Sequence, residues 1–244
     1  MVAVGALLIW AGGLWFHIGA ILVAAGMVWE LARMVVPAKP EVAWQMAGAG
    51  LLALTIATYV PPYVALPLLL APSMVSLSLV PSKRTMFMSY CAVILIAAFG
   101  MIQIRDELGF GWLLWLVAVV VATDVMGYFA GRFIGGPKFW PRVSPKKTWS
   151  GTIAGWVGAA IVGLLFGGIS DVGGQLAFIS IAVSMASQMG DIAESAIKRK
   201  VGVKDSSHLI PGHGGLLDRF DGMLGGALFL LLAGPLVGIL PGLG

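Results

Sequence analysis

The stretch WLLWLVAVVVATDVMGYFAG at residues 112–131 decides the fold class, because its only strongly polar side chains are Thr123, Asp124 and Tyr128. A helix of about 20 apolar residues is long enough to cross a bilayer. The whole chain has the same character: 59% of its 244 residues are hydrophobic and 11% are charged. Soluble domains carry roughly 25% charged residues. The sequence therefore predicts an all-α polytopic membrane protein.

About nine apolar runs are candidate transmembrane helices. They cover roughly residues 2–16, 18–36, 42–59, 62–80, 86–104, 112–131, 151–169, 173–197 and 222–241, and the first is short for a span. No long linker separates them. We expect one integral membrane domain over 1–244, with N-terminal helices in 1–110 and the polar motifs in 111–244. Glycine pairs four residues apart, Gly151 with Gly155 and Gly163 with Gly167, predict close helix packing in the seventh run.

The distribution of positive charge predicts the orientation. Fourteen of the 15 Lys and Arg residues follow even-numbered runs, and only Arg105 follows an odd-numbered one. Since cytoplasmic loops are enriched in Lys and Arg, the even-numbered loops are predicted to be cytoplasmic. We expect a protein of the inner or plasma membrane with a polar site facing the cytoplasm. The net charge of +4 and the lack of a basic tail indicate no nucleic-acid partner.

Asp124 stands inside the sixth run, with Tyr128 and Arg132 one and two turns later on the same helix face. A carboxylate at membrane depth is costly unless it is paired, hydrated or bound to a cation. One interpretation is a structural contact between Asp124 and Arg132. The other is that Asp124 binds a metal or a substrate.

The eighth run carries a second polar stripe, Ser187, Asp191, Glu194 and Lys198, at helical spacing. A polar stripe on a membrane helix must face protein or water. A hydrogen-bonded seam between helices is one interpretation. The other interpretation is a functional site, because two acids are followed closely by three consecutive cations that end at Lys200.

A third polar stretch, KDSSHLIPGHGGLLDRFDG, covers residues 204–222 and contributes Asp218, Arg219 and Asp221. Its glycines allow tight turns and the approach of backbone N–H groups to phosphate. His213 lies among these glycines. Carboxylates that hold Mg²⁺, together with cations that neutralise phosphate, are what a polyphosphate site requires.

The third stretch and the end of the eighth run resemble the signature of the phosphatidate cytidylyltransferase family. The matching residues are Ser195, Lys198, Arg199, Lys204, Asp205, Ser207, Pro211, His213, Gly214, Gly215, Asp218, Arg219, Phe220 and Asp221. Upstream, Asp124, Tyr128, Gly131 and Arg132, SPKKTWSG at 144–151 and GD at 190–191 also resemble the family. The first 110 residues resemble it only in hydropathy and in the pair Trp29-Glu30.

The resemblance implies a homodimeric membrane enzyme that converts CTP and phosphatidic acid to CDP-diacylglycerol and pyrophosphate with Mg²⁺. One or two ions are expected, and a monovalent cation is left open. Metal binding is assigned to Asp124, Asp191, Asp218 and Asp221. Catalysis is assigned to Asp191, Lys204, His213, Asp218 and Asp221. Substrate binding is assigned to Tyr128, Arg132, Lys146, Lys147, Ser195, Lys198, Arg199 and Arg219, in contact with membrane lipid.

Three alternatives use the same residue types. A polyprenol or dolichol kinase would transfer the γ-phosphoryl group of CTP to an alcohol. A transporter or channel could use intramembrane acids as a cation pathway, although the charges cluster on one predicted side. A CDP-alcohol phosphotransferase has a similar acid-rich motif, but the opening D-G-x2-A-R of that motif is absent.

Overall fold

A computed structural model of the chain describes residues 2–170, 172–210, 212 and 214–237. In these residues most of the chain is helical. The helices are α1 (Val2–Ala11), α2 (Gly13–Val35), α3 (Pro40–Ala57), α4 (Pro62–Leu79), α5 (Arg84–Gln103), α6 (Phe110–Phe133), α7 (Trp149–Gly167), α8 (Gln175–Val201) and α9 (Leu217–Val237). A π-helical turn, Ile104–Leu108, follows α5 directly.

Six helices in the described ranges are long and apolar enough to cross a membrane: α2, α4, α5 with the π-helical turn, α6, α7 and α8. The prediction of an all-α polytopic membrane protein is confirmed. The predicted count of about nine spans is supported for six of the helices. Helix α1 has 10 residues, about half the length that a span needs.

Prolines and glycines set the helix boundaries. Helices α3 and α4 begin at Pro40 and Pro62, where a missing backbone N–H costs nothing because that group has no partner inside the helix. Gly12, at a φ of 62°, separates α1 from α2, and Gly109, at a φ of 90°, precedes α6. These positive φ angles favour glycine.

The polar segment after the sixth run is more ordered than the sequence indicates. Helix α6 continues to Phe133, and an antiparallel hairpin follows, with β1 (Lys138–Trp140) paired to β2 (Ser144–Thr148). Pro137, Pro141 and Pro145 interrupt the alternation of apolar and polar residues, so no strand is predicted there. Helix α8 likewise extends to Val201, beyond the predicted end at residue 197.

The chain divides into two compact units, as far as the structure describes them. The first unit consists of Met1–Asp106 and Ile197–Phe220, and the second of Glu107–Ala196 and Asp221–Gly244. The prediction of a single domain stays a prediction. In the first unit, α2 packs against α3 and α5, and α4 packs against the same two helices. Met27, Leu31 and Phe87 are fully buried in its apolar core.

In the second unit, glycines bring helix backbones together. A Cβ atom on Gly151 of α7 would lie 2.6 Å from the carbonyl oxygen of Gly127 on α6. A Cβ on Gly163 would lie 2.6 Å from Cα of Ala177 on α8. The prediction that these glycines serve close packing is confirmed, and the approach of α6 to α7 fixes one wall of the cavity described next.

Candidate active site

A cavity of about 520 Å³ lies in the second unit and is lined by α6, the hairpin, α7 and α8. Its charged lining consists of Asp124, Arg132, Lys138, Lys146, Lys147 and Asp191. Four cations therefore face two acids in one cavity of a membrane protein. This balance suits a polyanion that is bound together with a cation.

One wall of the cavity is the polar face of α6. Asp124, Tyr128 and Arg132 all line it, which confirms the predicted shared face. Arg132 Nη1 donates a hydrogen bond of 2.8 Å to the Tyr128 hydroxyl. Among the described residues, no ion pair joins Asp124 to Arg132. The structure therefore does not support the interpretation that Asp124 serves to pair with Arg132.

Another part of the cavity lining contains an ion pair between β2 and α8. Lys147 Nζ lies 2.5 Å from Asp191 Oδ2, and the Ser195 hydroxyl donates to Asp191 Oδ1 at 3.3 Å. Asp124 is repelled by Asp191 and attracted by Lys147. Lys147 thus compensates charge in a cavity where two acids would otherwise repel each other.

The hydroxyl of Thr148 holds the start of α7 beside this ion pair. Thr148 Oγ1 accepts a hydrogen bond of 3.2 Å from Gly151 N and so caps α7. The cap satisfies one of the N–H groups that have no partner inside the helix. Because Lys147 precedes the cap, the end of β2 and the start of α7 fix where its side chain begins.

The first half of α8 carries a seam of hydrogen bonds between helices. The Ser184 hydroxyl accepts from Thr123 of α6 at 2.8 Å, and the Ser180 hydroxyl accepts from Trp115 Nε1 at 3.0 Å. Ser187 and Glu194 of the predicted stripe are buried. The stripe is therefore divided, because Asp191 lines the cavity while Ser187 and Glu194 lie inside the protein.

The residue before Asp191 is Gly190, and helix packing requires a glycine at this position. A Cβ on Gly190 would collide with the carbonyl oxygen of Asp221, and one on Gly225 would collide with that of Ala186. Helices α8 and α9 thus cross at backbone contact within the second unit. The crossing brings the backbone of Asp221 against the residue before Asp191. The Asp221 carboxylate accepts a hydrogen bond of 2.7 Å from Gly222 N.

Asp218 belongs to the first unit and has a different environment. Its Oδ1 atom accepts from Lys198 Nζ at 2.5 Å. Its Oδ2 atom accepts from Ser206 N at 2.9 Å, Ser206 Oγ at 2.8 Å and Gly215 N at 2.8 Å. Burial acts to raise the pKa of Asp218, but the Lys198 ammonium and these three donors outweigh it and hold the pKa below its ordinary value.

Glu30 of α2 is a residue that sequence reasoning did not assign to any site. It is 0% exposed, and its two oxygens accept hydrogen bonds from the third polar stretch. The donors are the hydroxyls of Ser206 and Ser207 and the backbone N–H groups of Leu216 and Leu217. Two signals were available: the pair Trp29-Glu30 resembles the family, and an acid in an apolar run usually marks function.

The other predicted site residues lie in the first unit or outside the described residues. Arg199, Lys204 and Arg219 are exposed, and Arg199 Nη1 donates to the carbonyl of Val203 at 3.4 Å. His213 lies outside the described residues. The catalytic and binding roles assigned to all these residues stay predictions.

The carboxylates that line the cavity can be compared with the ligands that the implied Mg²⁺ requires. Nucleotide-processing sites often hold Mg²⁺ with one or two carboxylates, and substrate phosphates complete the shell. Within the described ranges, no three His, Cys, Asp or Glu side chains group so as to hold a metal. Asp124 and Asp191 nevertheless line the same cavity. The residues fit an ion that shares its ligands with a bound phosphate.

Comparison with known proteins extends these observations to the whole chain. The profile of the cytidylyltransferase family matches residues 1–235. A phosphatidate cytidylyltransferase of Brucella abortus is 47% identical over 131 residues, which cover 53% of this chain and 48% of that protein. The protein of that name from Helicobacter pylori is 42% identical over 134 residues, covering 54% and 50%. The Bacillus subtilis protein is 38% identical over 132 residues, covering 50% and 48%.

The alignments therefore span about half the length of the curated relatives. The family profile reaches further and includes α2, the cavity and the third polar stretch. Its extent confirms the resemblance first drawn from the signature residues, and the chain belongs to the cytidylyltransferase family.

Proposed function

We propose that the protein is a CTP:phosphatidate cytidylyltransferase, a nucleotidyltransferase of phospholipid biosynthesis. The observation that carries this proposal is the cavity, in which four cations and two acids gather in a membrane protein. One substrate is then an anionic nucleotide and the other a lipid with a phosphate headgroup. The relatives named for this activity support the same reaction.

The reaction is a displacement at phosphorus. A phosphate oxygen of phosphatidate forms a bond to the α-phosphorus of CTP, and the bond from that phosphorus to the oxygen bridging to the β-phosphate breaks. CDP-diacylglycerol and pyrophosphate are the products. The attacking phosphate monoester is already anionic near neutral pH, so the chain need not supply a strong base. Its contributions are positioning and the neutralisation of charge.

The cations of the cavity are suited to hold phosphate groups. Arg132 is oriented by its hydrogen bond with Tyr128, and its guanidinium can bind two phosphate oxygens. Lys146 and Lys147 reach the cavity from β2. We propose that Lys147 exchanges Asp191 for a phosphate oxygen when substrate enters. In the first unit, Arg199, Lys204 and Arg219 are also proposed to bind phosphate.

Asp124 and Asp191 would hold Mg²⁺, with Asp221 as a further ligand. Asp218 is also proposed as a metal ligand, and it would have to exchange Lys198 for a cation, since its oxygens accept hydrogen bonds from protein donors. When bound, Mg²⁺ neutralises negative charge on the phosphate oxygens. The number of ions is one or two, and a monovalent cation is compatible with the same acidic groups.

We propose that the cavity faces the cytoplasm of a bacterial inner or plasma membrane. The support is that 14 of the 15 Lys and Arg residues follow even-numbered apolar runs. A homodimer is proposed from the family resemblance. Accessibility of single cysteines placed at Lys138 and Glu107 to a membrane-impermeant reagent tests the orientation, because the two positions lie on opposite sides in this topology.

Product analysis tests the activity. Purified protein is incubated in mixed micelles with phosphatidate, Mg²⁺ and CTP labelled separately at the α- and γ-phosphates. We expect α-label in the lipid product and γ-label in pyrophosphate. Transfer of γ-label to an added polyprenol would show a kinase instead. If neither label moves while a relative from Bacillus subtilis is active in the same micelles, the proposal fails.

A further inference from the structure

We propose that Glu30 is a positioning residue that holds the signature segment, defined here as the described residues 204–210, 212 and 214–218, in its working conformation. Glu30 lies in α2, and its hydrogen-bond partners in this segment are 176 to 187 positions away in the chain. The inference rests on the proposed function, because the segment is taken to serve nucleotidyl transfer. Its structural part can be tested without activity.

The hydrogen bonds of Glu30 form a complete set. Oε1 accepts from the Ser207 hydroxyl at 2.6 Å and from Leu216 N at 2.9 Å. Oε2 accepts from Leu217 N at 2.8 Å and from the Ser206 hydroxyl at 3.2 Å. A carboxylate offers about four acceptor sites. One segment of the chain therefore places a donor group at each acceptor site of Glu30, and one of these donors, the Ser206 hydroxyl, is shared with Asp218.

Two of these bonds determine how α9 begins. Leu216 and Leu217 contribute N–H groups at the start of the helix, where no carbonyl of an earlier turn is available. A carboxylate there satisfies both groups and complements the partial positive charge of the helix N-terminus. Asp218 follows at once, so the bonds that fix the first turn of α9 also fix the backbone that carries Asp218.

Ser206 connects Glu30 to Asp218 directly. Its hydroxyl oxygen lies 3.2 Å from Glu30 Oε2 and 2.8 Å from Asp218 Oδ2. A hydroxyl has one proton to donate, so the orientation of Ser206 depends on both carboxylates. Asp218 in turn binds the ammonium of Lys198. A continuous chain of polar contacts thus runs from Glu30 through Ser206 and Asp218 to Lys198.

Glycines leave room for this arrangement. A Cβ on Gly215 would collide with Ser206 Oγ and Glu30 Oε1. A Cβ on Gly26, one turn before Glu30 in α2, would lie 2.6 Å from Cδ1 of Leu216. The face of α2 that contains Gly26 and Glu30 therefore has room for Leu216, and a single carboxylate on it binds Ser206, Ser207, Leu216 and Leu217.

The principal test is Glu30→Gln, which preserves size but replaces one acceptor oxygen with an NH₂ donor. That group must face two donors of the segment, either Leu217 N with Ser206 or Leu216 N with Ser207. We expect kcat/KM to fall by about 10-fold or more, as is typical when a residue that orients site groups is changed. We also expect faster hydrogen exchange at the amides of Leu216 and Leu217.

The matched control is Ser76→Ala. Ser76 is also fully buried in the first unit, but its hydroxyl donates only to the nearby carbonyl of Ser73, at 2.5 Å. We expect unchanged exchange at Leu216 and Leu217 in this variant. Should Glu30→Gln fail to accumulate, Ser207→Ala removes one donor from Oε1 and leaves Glu30 in place. It should accelerate exchange at the same two amides.

A double-mutant cycle separates positioning from loss of stability. Ser206→Ala is measured in the wild type and in Glu30→Gln, and kcat/KM is compared. If Glu30 acts through Ser206, the combined loss is smaller than the product of the single losses. Two results would overturn the role of Glu30 in catalysis. One is a loss of kcat/KM in the double variant that equals the product of the two single losses, and the other is a wild-type kcat/KM in Glu30→Gln.

Amide hydrogen exchange tests the positioning role of Glu30 separately from the proposed function. If wild-type protein forms no CDP-lipid, the proposed function fails and the cycle has no activity to measure. Amide exchange in Glu30→Gln then still decides whether Glu30 holds the segment. Unchanged exchange at both Leu216 and Leu217 would refute the positioning role whatever the activity of the protein.

Discussion

The carboxylates of the two units differ in how many protein donors bind their oxygens. Glu30 and Asp218, in the first unit, each have four protein donor groups within hydrogen-bond distance, and the Ser206 hydroxyl is shared between the two. In the cavity of the second unit, Asp191 has one ion pair and one hydroxyl donor. Asp124 is exposed and, among the described contacts, receives no hydrogen bond.

This difference separates two uses of the same functional group. A carboxylate whose acceptor sites are filled by protein donors stabilises one conformation, because every displaced donor would be left without a partner. A carboxylate with few protein partners can take a cation or exchange an ammonium group at lower cost. Changes in the cavity should therefore mainly alter turnover, and changes in the signature segment should also alter stability.

The largest expected effect is that of Asp191→Asn, which removes the charge opposite Lys147. We expect CDP-lipid formation to fall on the order of 100-fold, the usual effect of losing one group that stabilises transition-state charge. The melting temperature in detergent should change little, since a partly exposed ion pair contributes little to stability. Glu41→Gln, at an exposed acid in α3, is the control and should retain activity. A large loss of melting temperature in Asp191→Asn would show that the cavity carboxylate also stabilises the fold, as Glu30 and Asp218 are expected to do in the first unit.

Asp218→Asn should, in contrast to Asp191→Asn, also lower the stability of the protein. The side chains of Asp218 and Lys198 are 9% and 12% exposed, and hydrogen bonds to charged groups contribute about 1.5–3 kcal/mol each. We expect a clear loss of melting temperature at pH 7, which thermal unfolding in detergent would measure. An unchanged melting temperature would show that the contacts of Asp218 do not hold the fold.

The effect of Asp218→Asn should depend on pH. Because the pKa of Asp218 is lowered in the folded protein, its stabilising contribution is complete above the unfolded pKa, which is about 3.9. The contribution is lost as pH falls through the lower folded value. The difference in melting temperature between wild type and variant should therefore be constant from pH 7 to about pH 5 and should narrow below about pH 4. A difference that narrows near neutral pH would contradict this assignment.

The helical fold could be predicted because membrane spans impose a strong and local pattern on the sequence. The nine apolar runs correspond to the nine described helices, with ends that differ by a few residues. The shared face of Asp124, Tyr128 and Arg132 also followed from helical periodicity alone. The hairpin did not, because three prolines hide its strand pattern and its pairing joins residues across a turn.

Contacts between distant parts of the chain account for the rest of what was missed. Nothing in the residues around Glu30 indicates that Ser206, Ser207, Leu216 and Leu217 would meet it. Likewise, the pairing of Lys147 with Asp191 joins β2 to α8, and helical periodicity says nothing about it. Sequence spacing identifies residues on one face of a helix, whereas these contacts depend on how helices pack.

Gly215→Ala tests whether the signature segment is tightly held. It adds a methyl group and changes no charge. The added Cβ would displace Ser206 and Glu30, and overpacking of this kind costs about 1–3 kcal/mol. Gly48→Ala is the control in the same unit, because a Cβ there has no atom within 4 Å. We expect Gly215→Ala to lower the melting temperature and Gly48→Ala to leave it unchanged or slightly raised. Equal behaviour of the two variants would show that the segment is not tightly held.

The smallest expected effect concerns the cap of α7. Thr148→Ala removes the hydroxyl that accepts from Gly151 N and should destabilise the protein by about 1 kcal/mol, whereas Thr148→Ser retains the hydroxyl and should differ little from wild type. Lys147 precedes this cap and bonds Asp191, so a frayed start of α7 should also loosen that ion pair. We therefore expect a raised KM for CTP in Thr148→Ala and not in Thr148→Ser. A loss of stability without a change in KM would show that the position of Lys147 is set by the hairpin rather than by the helix cap.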